Sequence, residues 1–363
     1  MLKQLKRKIG VPILQVVAKW HRRRMKTPII AVTGTNGKTT TKELLNAVLS
    51  KKYKTVSNQG NFNNHIGVPL TLRRLKKDTE IAVVEMGANH PGEIDFLCKI
   101  AQPNYGLITN IGKAHLEGFG SFEGVVKTKN ELYAYLKAHK GKAFVNKDNK
   151  LLMDLVQELD HHTYGTDGAD CVVKPVPSTP YLAVEWKDQT IQTKLVGDYN
   201  FENVAAAIAV GSYFGVDDHD IKEAIEGYVP TNNRSQVIET GKNRIVMDAY
   251  NANPVSMKAA ITNFRKICGN KPLLILGDML ELGSASEEEH QAVVKLIEEL
   301  GFETAFLVGE CMGKAAQGSP YNTFANVEEL CSYLKENPVE GYDILIKGSH
   351  GVSLEKALEV LTE

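Results

Sequence analysis

The sequence predicts an α/β protein with two open parallel sheets, one of which carries an antiparallel addition. Short apolar runs rich in β-branched residues alternate with stretches of helical period over residues 29–146 and again over residues 244–361. Between them, residues 171–196 alternate polar with β-branched residues, a pattern typical of antiparallel hairpins. A glycine-punctuated turn, residues 34–37, joins the first buried strand to the first helix, which predicts an anion site at this end of the first sheet.

The composition favours a cytoplasmic enzyme without a nucleic-acid partner. The 363 residues include 43 basic and 43 acidic side chains, so no net charge attracts nucleic acid. No apolar run approaches the roughly 18 residues that a membrane span needs. The five cysteines are scattered and odd in number, which argues against a disulfide framework and against a zinc site.

Three segments are expected, with boundaries near residues 26 and 232. Residues 1–26 form a basic helix that leads into a central domain, residues 27–232, and residues 233–363 form a C-terminal domain. The polar, proline-bearing stretch 228–234 is typical of a domain boundary. For residues 1–26 we favour a helix packed on the central domain. A signal peptide and a membrane-surface helix are the alternatives, although Pro12 and Gln15 interrupt the apolar patch that a signal peptide needs.

Residues 33–40 (Thr-Gly-Thr-Asn-Gly-Lys-Thr-Thr) form the predicted phosphate loop, and the sheet that carries them is therefore of the phosphate-loop ATPase type. They follow the buried strand 29–32 and precede a helix expected over residues 42–49. Backbone N–H groups and the positive end of the helix dipole point at one place, to which Lys38 adds a charge and Thr39 a hydroxyl suited to Mg²⁺. Val32 stands where the strict phosphate-loop pattern has glycine. The residues predicted to bind the nucleotide phosphates are Gly34, Thr35, Asn36, Gly37, Lys38, Thr39 and Thr40.

Three further side chains are candidates for the same site. Glu85 ends the strand that begins at residue 81, at the sheet edge where ligands gather, and its alternative role is a helix cap. His115 lies in a glycine-rich loop after the strand 105–109, where a core role is the less favoured alternative. Lys129 lies on the helix predicted over 123–136, and composition alone favours a solvated face for it. The Asn- and Gly-rich residues 58–69 are predicted to be a loop.

Four stretches together resemble the Mur ligases, the ATP-dependent amino-acid ligases of peptidoglycan synthesis. They are residues 33–40, 60–70 (GNFNNHIGVPL), 248–257 (DAYNANPVSM) and 276–283 (LGDMLELG). The motifs fall in the family's order from about Trp20 to the C-terminus. The last three are most similar to the members that add D-alanyl-D-alanine to a UDP-muramoyl-tripeptide. The resemblance implies a central ATPase-type domain followed by a Rossmann-like one.

The resemblance also assigns roles to single positions. ATP and two Mg²⁺ ions are implied, with Lys38 and Thr39 at the phosphates and Thr39, Glu85, His115 and a carbamylated Lys129 at the metals. Lys38, Glu85, His115 and Lys129 are thus the implied catalytic residues. Asn203 matches the adenine-binding asparagine, Arg234 an arginine that reaches the phosphates, and Asp248 the ribose-binding acid. The implied substrate-side residues are Asn61, Asn63, Asn64, Asn251, Asn253, Lys347 and Ser349, although His350 stands where an arginine is common.

The implied reaction is an amide ligation through an acyl phosphate. Family members begin with a UDP-sugar-binding domain of roughly a hundred residues. Here 26 residues precede the phosphate-loop strand, so we expect a remnant of that domain, with the domain itself truncated or supplied separately. Two alternatives stay open. One is a Mur-like ligase for another carboxylate, as in folylpolyglutamate and cyanophycin synthetases, and the other is a non-catalytic nucleotide-binding partner protein.

Overall fold

The computed structural model describes residues 2–231, 233–269 and 271–362, with side chains from Gly10 onward. Met1, Glu363 and the predicted boundary residue Asn232 lie outside the described residues. We refer to residues 29–227 as the central domain and to residues 233–362 as the C-terminal domain. Each is built on its own sheet, and the predicted α/β class with two such sheets is confirmed.

The central domain has a seven-stranded parallel sheet. Its strands are β1 (Ile29–Thr33), β2 (Thr55–Ser57), β3 (Ile81–Glu85), β4 (Tyr105–Ile108), β5 (Lys142–Asn146), β6 (His161–Gly165) and β7 (Cys171–Val172). Their order is β2-β3-β1-β4-β5-β6-β7, and each neighbouring pair is parallel. Strands β2 and β3 lie on one side of β1, and β4 lies on the other side. The carboxyl end of β1 is therefore a topological switch point, where open α/β sheets bind ligands.

Helices cover both faces of this sheet. They are α2 (Lys38–Leu49), α3 (Gly67–Leu72), α4 (Glu93–Ala101), α5 (Leu116–Phe119), α6 (Phe122–Ala138), α7 (Lys150–Val156), α8 (Phe201–Tyr213) and α9 (Asp218–Gly227). Successive side chains of a strand point to opposite faces. Accordingly, Ile30 and Val32 of β1 pack with α2, α8 and α9, whereas Ile29 and Ala31 pack with α3, α4 and α6. This two-sided burial explains why β1 is apolar along its length.

Two local predictions in this domain were wrong. The helix after the phosphate loop begins at Lys38 rather than Lys42, because Gly37 has a φ of +78° and turns the chain directly into the helix. The segment predicted as loop up to Pro69 ends in helix α3, which begins at Gly67. Asn64 Oδ1 accepts the Gly67 N–H at 3.0 Å. Pro69 lies in the first helical turn, where a backbone N–H would have no partner within the helix, so proline is tolerated there.

The antiparallel addition is confirmed for most of its predicted length. Strands β8 (Lys174–Val176), β9 (Tyr181–Trp186) and β10 (Gln189–Val196) form a three-stranded sheet in the order β10-β9-β8. Lys187 and Asp188 connect β9 to β10 with φ values of 47° and 60°, as a tight two-residue hairpin turn requires. The start of the predicted region differs, because β7 pairs in parallel with β6 of the central sheet.

The C-terminal domain has a six-stranded sheet between helices. Its strands are β11 (Gln236–Glu239), β12 (Arg244–Asp248), β13 (Pro272–Gly277), β14 (Ala305–Val308), β15 (Asn322–Phe324) and β16 (Asp343–Lys347), in the order β11-β12-β16-β13-β14-β15. Only the β11–β12 pair is antiparallel among the strands described. The helices are α10 (Pro254–Ile267), α11 (Ser286–Glu299), α12 (Glu310–Ala315), α13 (Val327–Glu336) and α14 (Glu355–Thr362). Helix α14 was predicted from residue 352 but begins later, after a short 3-10 turn over His350–Val352.

Helix α1 (Leu2–Arg24) packs its C-terminal half on the central domain. Ala18 is fully buried, and the Arg22 guanidinium donates to the carbonyl oxygens of Ala101 at 2.7 Å and Gln102 at 3.0 Å. The opposite face leaves Ile13, Val16, Val17 and Trp20 exposed. Within the described part of the chain, no helix has both the length and the apolar character needed to cross a membrane.

Candidate active site

A cleft of about 780 Å³ opens between the two domains, at the carboxyl ends of β1, β3 and β12. Its volume lies in the range of small-molecule sites. Most of the residues selected from the sequence line it: Thr35, Asn36, Gly37, Lys38, Thr39, Thr40, Asn61, Asn63, Asn64, Glu85, His115, Asn203, Arg234, Asp248, Asn251 and Lys347. Gly34, Lys129, Asn253 and Ser349 are not among the lining residues of the cleft.

The phosphate loop is held against the loop that follows β4. The N–H of Thr35 donates to the Asn110 carbonyl at 2.9 Å, and the N–H of Asn36 donates to the Asn110 side-chain oxygen at 2.9 Å. Gly34 has a φ of +141°, and a Cβ there would lie 2.0 Å from Thr109 Oγ1. Glycine is therefore required by both backbone conformation and space. The loop is thus held in place by contacts within the protein.

Lys38 begins helix α2 and faces the cleft. Its Nζ donates to the Thr35 carbonyl at 2.8 Å, so the ammonium group lies over the loop that would hold phosphates. Burial lowers the pKa of Lys38 to about 8, with the Glu85 carboxylate raising it and Arg234 lowering it further. The first N–H groups of a helix have no partner within the helix. Loop, helix end and ammonium together make a strong anion site.

Glu85 is the buried carboxylate of the site. It is 1% exposed, and its two oxygens lie 3.2 and 3.0 Å from the Thr39 hydroxyl. Asn63 Nδ2 donates to Oε1 at 2.8 Å, and Asn58 holds the Glu85 backbone through the N–H at 2.6 Å. A hydroxyl and a carboxylate at the phosphate end of a cleft are the hard oxygen ligands that Mg²⁺ prefers. The donor set therefore fits the metal that the sequence predicted.

His115 and Lys129 interact electrostatically with each other and with Lys38. Burial lowers the pKa of His115, while the Glu281 carboxylate, which lies against Nδ1, opposes the shift. Lys129 is 2% exposed, in contrast to the exposed Lys127 on the same helix, so the solvated face expected from composition is wrong for Lys129. Burial lowers its pKa to about 7, and the charge of Lys38 lowers it further. A substantial fraction of Lys129 is therefore a neutral amine at neutral pH.

The C-terminal domain adds a second set of charges to the cleft. The Arg234 guanidinium stacks on the Tyr250 ring at 3.6 Å, and its buried Nε has no hydrogen-bond partner among the described residues. Asp248, at the end of β12, accepts from Lys347 Nζ at 2.6 Å and from the Ser235 N–H at 3.2 Å. An unpartnered guanidinium N–H at a cleft suits a phosphate. The carboxylate of Asp248 is positioned by its neighbours.

Three predicted site residues have partners within the protein. Asn203 Oδ1 accepts from the Thr41 hydroxyl at 3.0 Å, and the side chain presses on Gly37 so closely that a Cβ there would lie 2.3 Å from this oxygen. Asn253 bonds to the side chain of Asn36. Ser349 accepts the Leu280 N–H at 2.9 Å and so anchors a loop behind the cleft. These contacts position the walls of the site.

Asp278, His290 and Cys311 form a second group of potential metal ligands in the C-terminal domain. Their lone pairs are already used. Asp278 accepts the N–H groups of Cys311 at 3.2 Å and Met312 at 2.8 Å. His290 Nε2 accepts the Met279 N–H at 2.9 Å, while Nδ1 lies 2.6 Å from the Ser286 carbonyl and donates to it. The group is a structural hydrogen-bond network that fixes the loop after β13.

Sequence reasoning missed several residues that shape the site. Asn58 accepts a hydrogen bond from the Glu85 backbone, and Asn110 accepts one from the phosphate loop. Both residues lie in Asn- and Gly-rich loops after strands, and this sequence pattern could have identified them. Tyr250 supports Arg234 and stacks at 12° on His350 with ring centroids 5.8 Å apart. Glu281 belongs to the stretch 276–283 that resembles the Mur ligases, but its contact with His115 had no local signal, because His115 belongs to the other domain.

A phosphate loop, a buried carboxylate and a guanidinium from a second α/β domain define a two-domain nucleotide-binding protein. The Mur ligase middle domain matches residues 32–211, and the domain described as Mur ligase, glutamate ligase domain, matches residues 233–350. The chain belongs to the Mur ligase family.

Individual relatives agree with this membership. The UDP-N-acetylmuramoyl-tripeptide–D-alanyl-D-alanine ligase of Bacillus subtilis is 36% identical over 363 residues, covering 96% of this chain and 79% of its own length. Among solved structures, MurF from Acinetobacter baumannii superposes with a TM-score of 0.88 at 30% identity, over 97% of this chain and 80% of that one. The MurF ligase of Thermotoga maritima in complex with ADP has a TM-score of 0.85 at 28% identity, over 97% and 83%.

Proposed function

We propose that the protein is an ATP-dependent ligase that adds D-alanyl-D-alanine to UDP-N-acetylmuramoyl-tripeptide in peptidoglycan precursor synthesis. One observation carries the proposal. The Lys38 phosphate loop and the Thr39–Glu85 pair share a single cleft with Arg234 and Asp248 of the other domain, in a chain whose relatives carry this activity in their names.

The nucleotide is proposed to span the two domains. Lys38 and the loop amides bind the terminal phosphates, and the unpartnered Nε of Arg234 adds a second positive group from the opposite wall. Asp248 offers an acceptor for the ribose, and Asn203 borders the adenine end as the resemblance implies. Because both walls contribute, nucleotide binding favours the closed arrangement of the domains.

Thr39, Glu85, His115 and Lys129 are proposed to hold two Mg²⁺ ions. Bound there, Mg²⁺ would neutralise the charge that the phosphates and the attacking carboxylate bring together. Lys129 joins this set as a carbamate: its neutral amine nitrogen attacks the carbon of CO₂ and loses one proton. The lowered pKa of Lys129 supports this step, because the reaction needs the neutral amine.

The chemistry consists of two displacements. The tripeptide carboxylate attacks the γ-phosphorus of ATP and ADP leaves, which gives an acyl phosphate. The amine of D-alanyl-D-alanine then attacks the acyl carbon and phosphate leaves. In the first step two anions meet, and the fixed ammonium of Lys38 and the loop amides reduce their repulsion without reorganisation. Domain closure over the cleft excludes the water that would hydrolyse the intermediate.

The alternatives have less support. A ligase for another carboxylate shares this fold, but the Bacillus relative, 36% identical over 96% of this chain, is named for the addition of D-alanyl-D-alanine. A non-catalytic nucleotide-binding protein would have no need for a buried Lys129 beside Lys38. The expected separate N-terminal domain finds no support in the comparisons, in which this chain covers 79% of the Bacillus relative and 80% of the Acinetobacter structure.

The proposal is tested by product formation. The protein is incubated with ATP, Mg²⁺, D-alanyl-D-alanine and UDP-N-acetylmuramoyl-tripeptide, and the pentapeptide product and phosphate are quantified by mass spectrometry and a coupled assay. We expect Lys38→Ala to lose turnover by at least about 100-fold while staying folded, since it removes a fixed charge at the transferred phosphate. Lys127→Ala, which removes an exposed lysine, is the matched control. Turnover by Lys38→Ala at the control level would refute the phosphate-loop assignment.

A further inference from the structure

The C-terminal domain places a carboxylate directly on His115. Glu281 lies in the loop after β13, and its Oε2 contacts His115 Nδ1. A second ion pair joins the loop of His115 to helix α11, between Lys113 and Glu289 at 3.0 Å. Lys113 and His115 belong to the central domain, and both acids belong to the C-terminal domain. The contact therefore depends on the two domains lying against each other as they do in this structure.

Both partners of this contact are held in unusual backbone conformations. His115 has a φ of +50° and Glu281 a φ of +66°, values that residues other than glycine seldom adopt. Such strain persists only where the surrounding structure imposes it. In return, each loop directs its side chain toward the other domain.

The loop that presents Glu281 is anchored on the side away from the cleft. Leu280 N–H donates to Ser349 Oγ at 2.9 Å, and Met279 N–H donates to His290 Nε2 at 2.9 Å. Ser349 lies directly after β16, and His290 lies on α11, so both contacts come from the C-terminal domain. Glu281 is thus a fixed feature of that domain, even though its side chain is half exposed. Movement of the domain moves the carboxylate with it.

We propose that Glu281 is a positioning residue for His115, which fixes the imidazole for metal binding only in the closed state. Nδ1 of His115 is buried and makes no hydrogen bond of standard geometry to the described residues, so the Glu281 carboxylate beside it is the acceptor available to a proton on Nδ1. With the proton on Nδ1, Nε2 is the nitrogen with a free lone pair, the arrangement common for metal-binding histidines. The inference rests on the proposed function in one respect, that a metal–nucleotide complex binds beside His115. Metal binding and domain closure then favour each other by thermodynamic linkage.

The test compares two interdomain carboxylates in the full-length chain. Glu281→Ala removes the contact to His115, whereas Glu289→Ala removes the neighbouring ion pair to Lys113 and leaves His115 untouched. The Kd of Mn²⁺ is measured by electron paramagnetic resonance at saturating ADP. Loss of an outer carboxylate partner costs about 10- to 100-fold in metal affinity, so we expect at least about 10-fold for Glu281→Ala and less than about 2-fold for Glu289→Ala.

Two further readouts separate positioning from a general structural effect. Glu281→Gln keeps an acceptor for the Nδ1 proton and should recover part of the lost Mn²⁺ affinity. ADP affinity without metal should stay within about 2-fold of wild type in every variant, because none of these carboxylates reaches the phosphate loop. Small-angle scattering should show that Mn²⁺ increases compaction by ADP in the wild type and not in Glu281→Ala.

The outcomes distinguish this inference from the proposed function. Equal Mn²⁺ affinities for Glu281→Ala and Glu289→Ala would overturn the role of Glu281 while leaving the ligase proposal intact. A wild-type protein that binds ADP but no Mn²⁺ beside it would overturn both. Weaker Mn²⁺ binding in Glu281→Ala, with normal ADP binding and partial recovery in Glu281→Gln, would establish the role.

Discussion

Asn36 and Asn253 pair their side-chain amides across the two domains. Asn253 Nδ2 donates to Asn36 Oδ1 at 2.7 Å, and Asn36 Nδ2 donates to Asn253 Oδ1 at 3.4 Å. Asn253 also caps helix α10, where its Oδ1 accepts the Ser256 N–H at 2.9 Å. This pair connects the phosphate loop to the first turn of a helix in the other domain. The same contact therefore holds the two domains together and positions the loop proposed to bind phosphate.

Asn253→Ser should separate these two roles. Serine caps a helix as well as asparagine does but is too short to reach Asn36, so the free energy of unfolding should hardly change. The Kd for ATP should rise about 2- to 10-fold, which corresponds to one hydrogen bond of about 0.5–1.5 kcal/mol. Calorimetric titration of ATP measures the change. Asn326→Ser, at the cap of α13, is the matched control.

A double-mutant cycle tests the Asn36–Asn253 pair itself. The effects of Asn36→Ala and Asn253→Ser on ATP affinity should be less than additive in the double variant, because the second substitution finds the bond already lost. Simple additivity would show that the amide contact contributes nothing to nucleotide binding.

Lys129→Ala should be nearly inactive, since it removes the group proposed to become a carbamate. Acetate or propionate should restore part of the turnover by supplying carboxylate oxygens in the space of the missing side chain. Phosphate release with and without the added acid is the measurement, and Lys127→Ala, two residues earlier on the exposed face, is the control. Full activity of Lys129→Ala would show that Lys129 has only a structural role.

Lys129 should also make stability depend on pH in a predictable direction. Its pKa is about 7 in the folded protein, because burial disfavours the charge, and 10.5 in the unfolded chain. Between these values the unfolded state binds more protons, so the free energy of unfolding rises with pH. The destabilising contribution of Lys129 is therefore absent above pH 10.5 and complete below pH 7.

Lys129→Met removes this contribution and should be more stable than the wild type at pH 7. Urea unfolding of both proteins from pH 7 to 10 in buffer free of CO₂ should show the difference shrinking by up to about 1.4 kcal/mol per pH unit. An equal free energy of unfolding for both proteins at every pH would show that burial of the Lys129 ammonium does not destabilise the folded state.

Arg22→Ala should loosen helix α1 from the central domain. The guanidinium is 6% exposed and donates to the carbonyl groups of Met25, Ala101 and Gln102, which would lose a charged donor. We expect a loss of about 1.5–3 kcal/mol in the free energy of unfolding. Arg23→Ala, at the exposed next position, should change it by less than about 0.5 kcal/mol. Similar values for both variants would contradict the anchoring role of Arg22.

The sequence by itself determined the architecture and the phosphate end of the site. Strand β1, the glycine turn and helix α2 are encoded within twenty consecutive residues or so, because apolar period and glycine positions act over short distances. The same local signals predicted both parallel sheets and the antiparallel addition. Strands β2 (TVS), β6 (HHTYG) and β15 (NTF) were missed, because they lack the apolar run that marks β1 and β4 at similar length.

Only the tertiary structure decided which side chains meet in the cleft. Lys129 on a mostly solvated helix is buried, Asn36 meets Asn253, and His115 meets Glu281. Each depends on how one element or domain packs on another, and such packing leaves no periodic trace in the neighbouring residues. The local chain specifies the elements and their chemistry, whereas the burial and charge that tune Lys38, Lys129 and His115 arise from contacts between segments far apart in sequence.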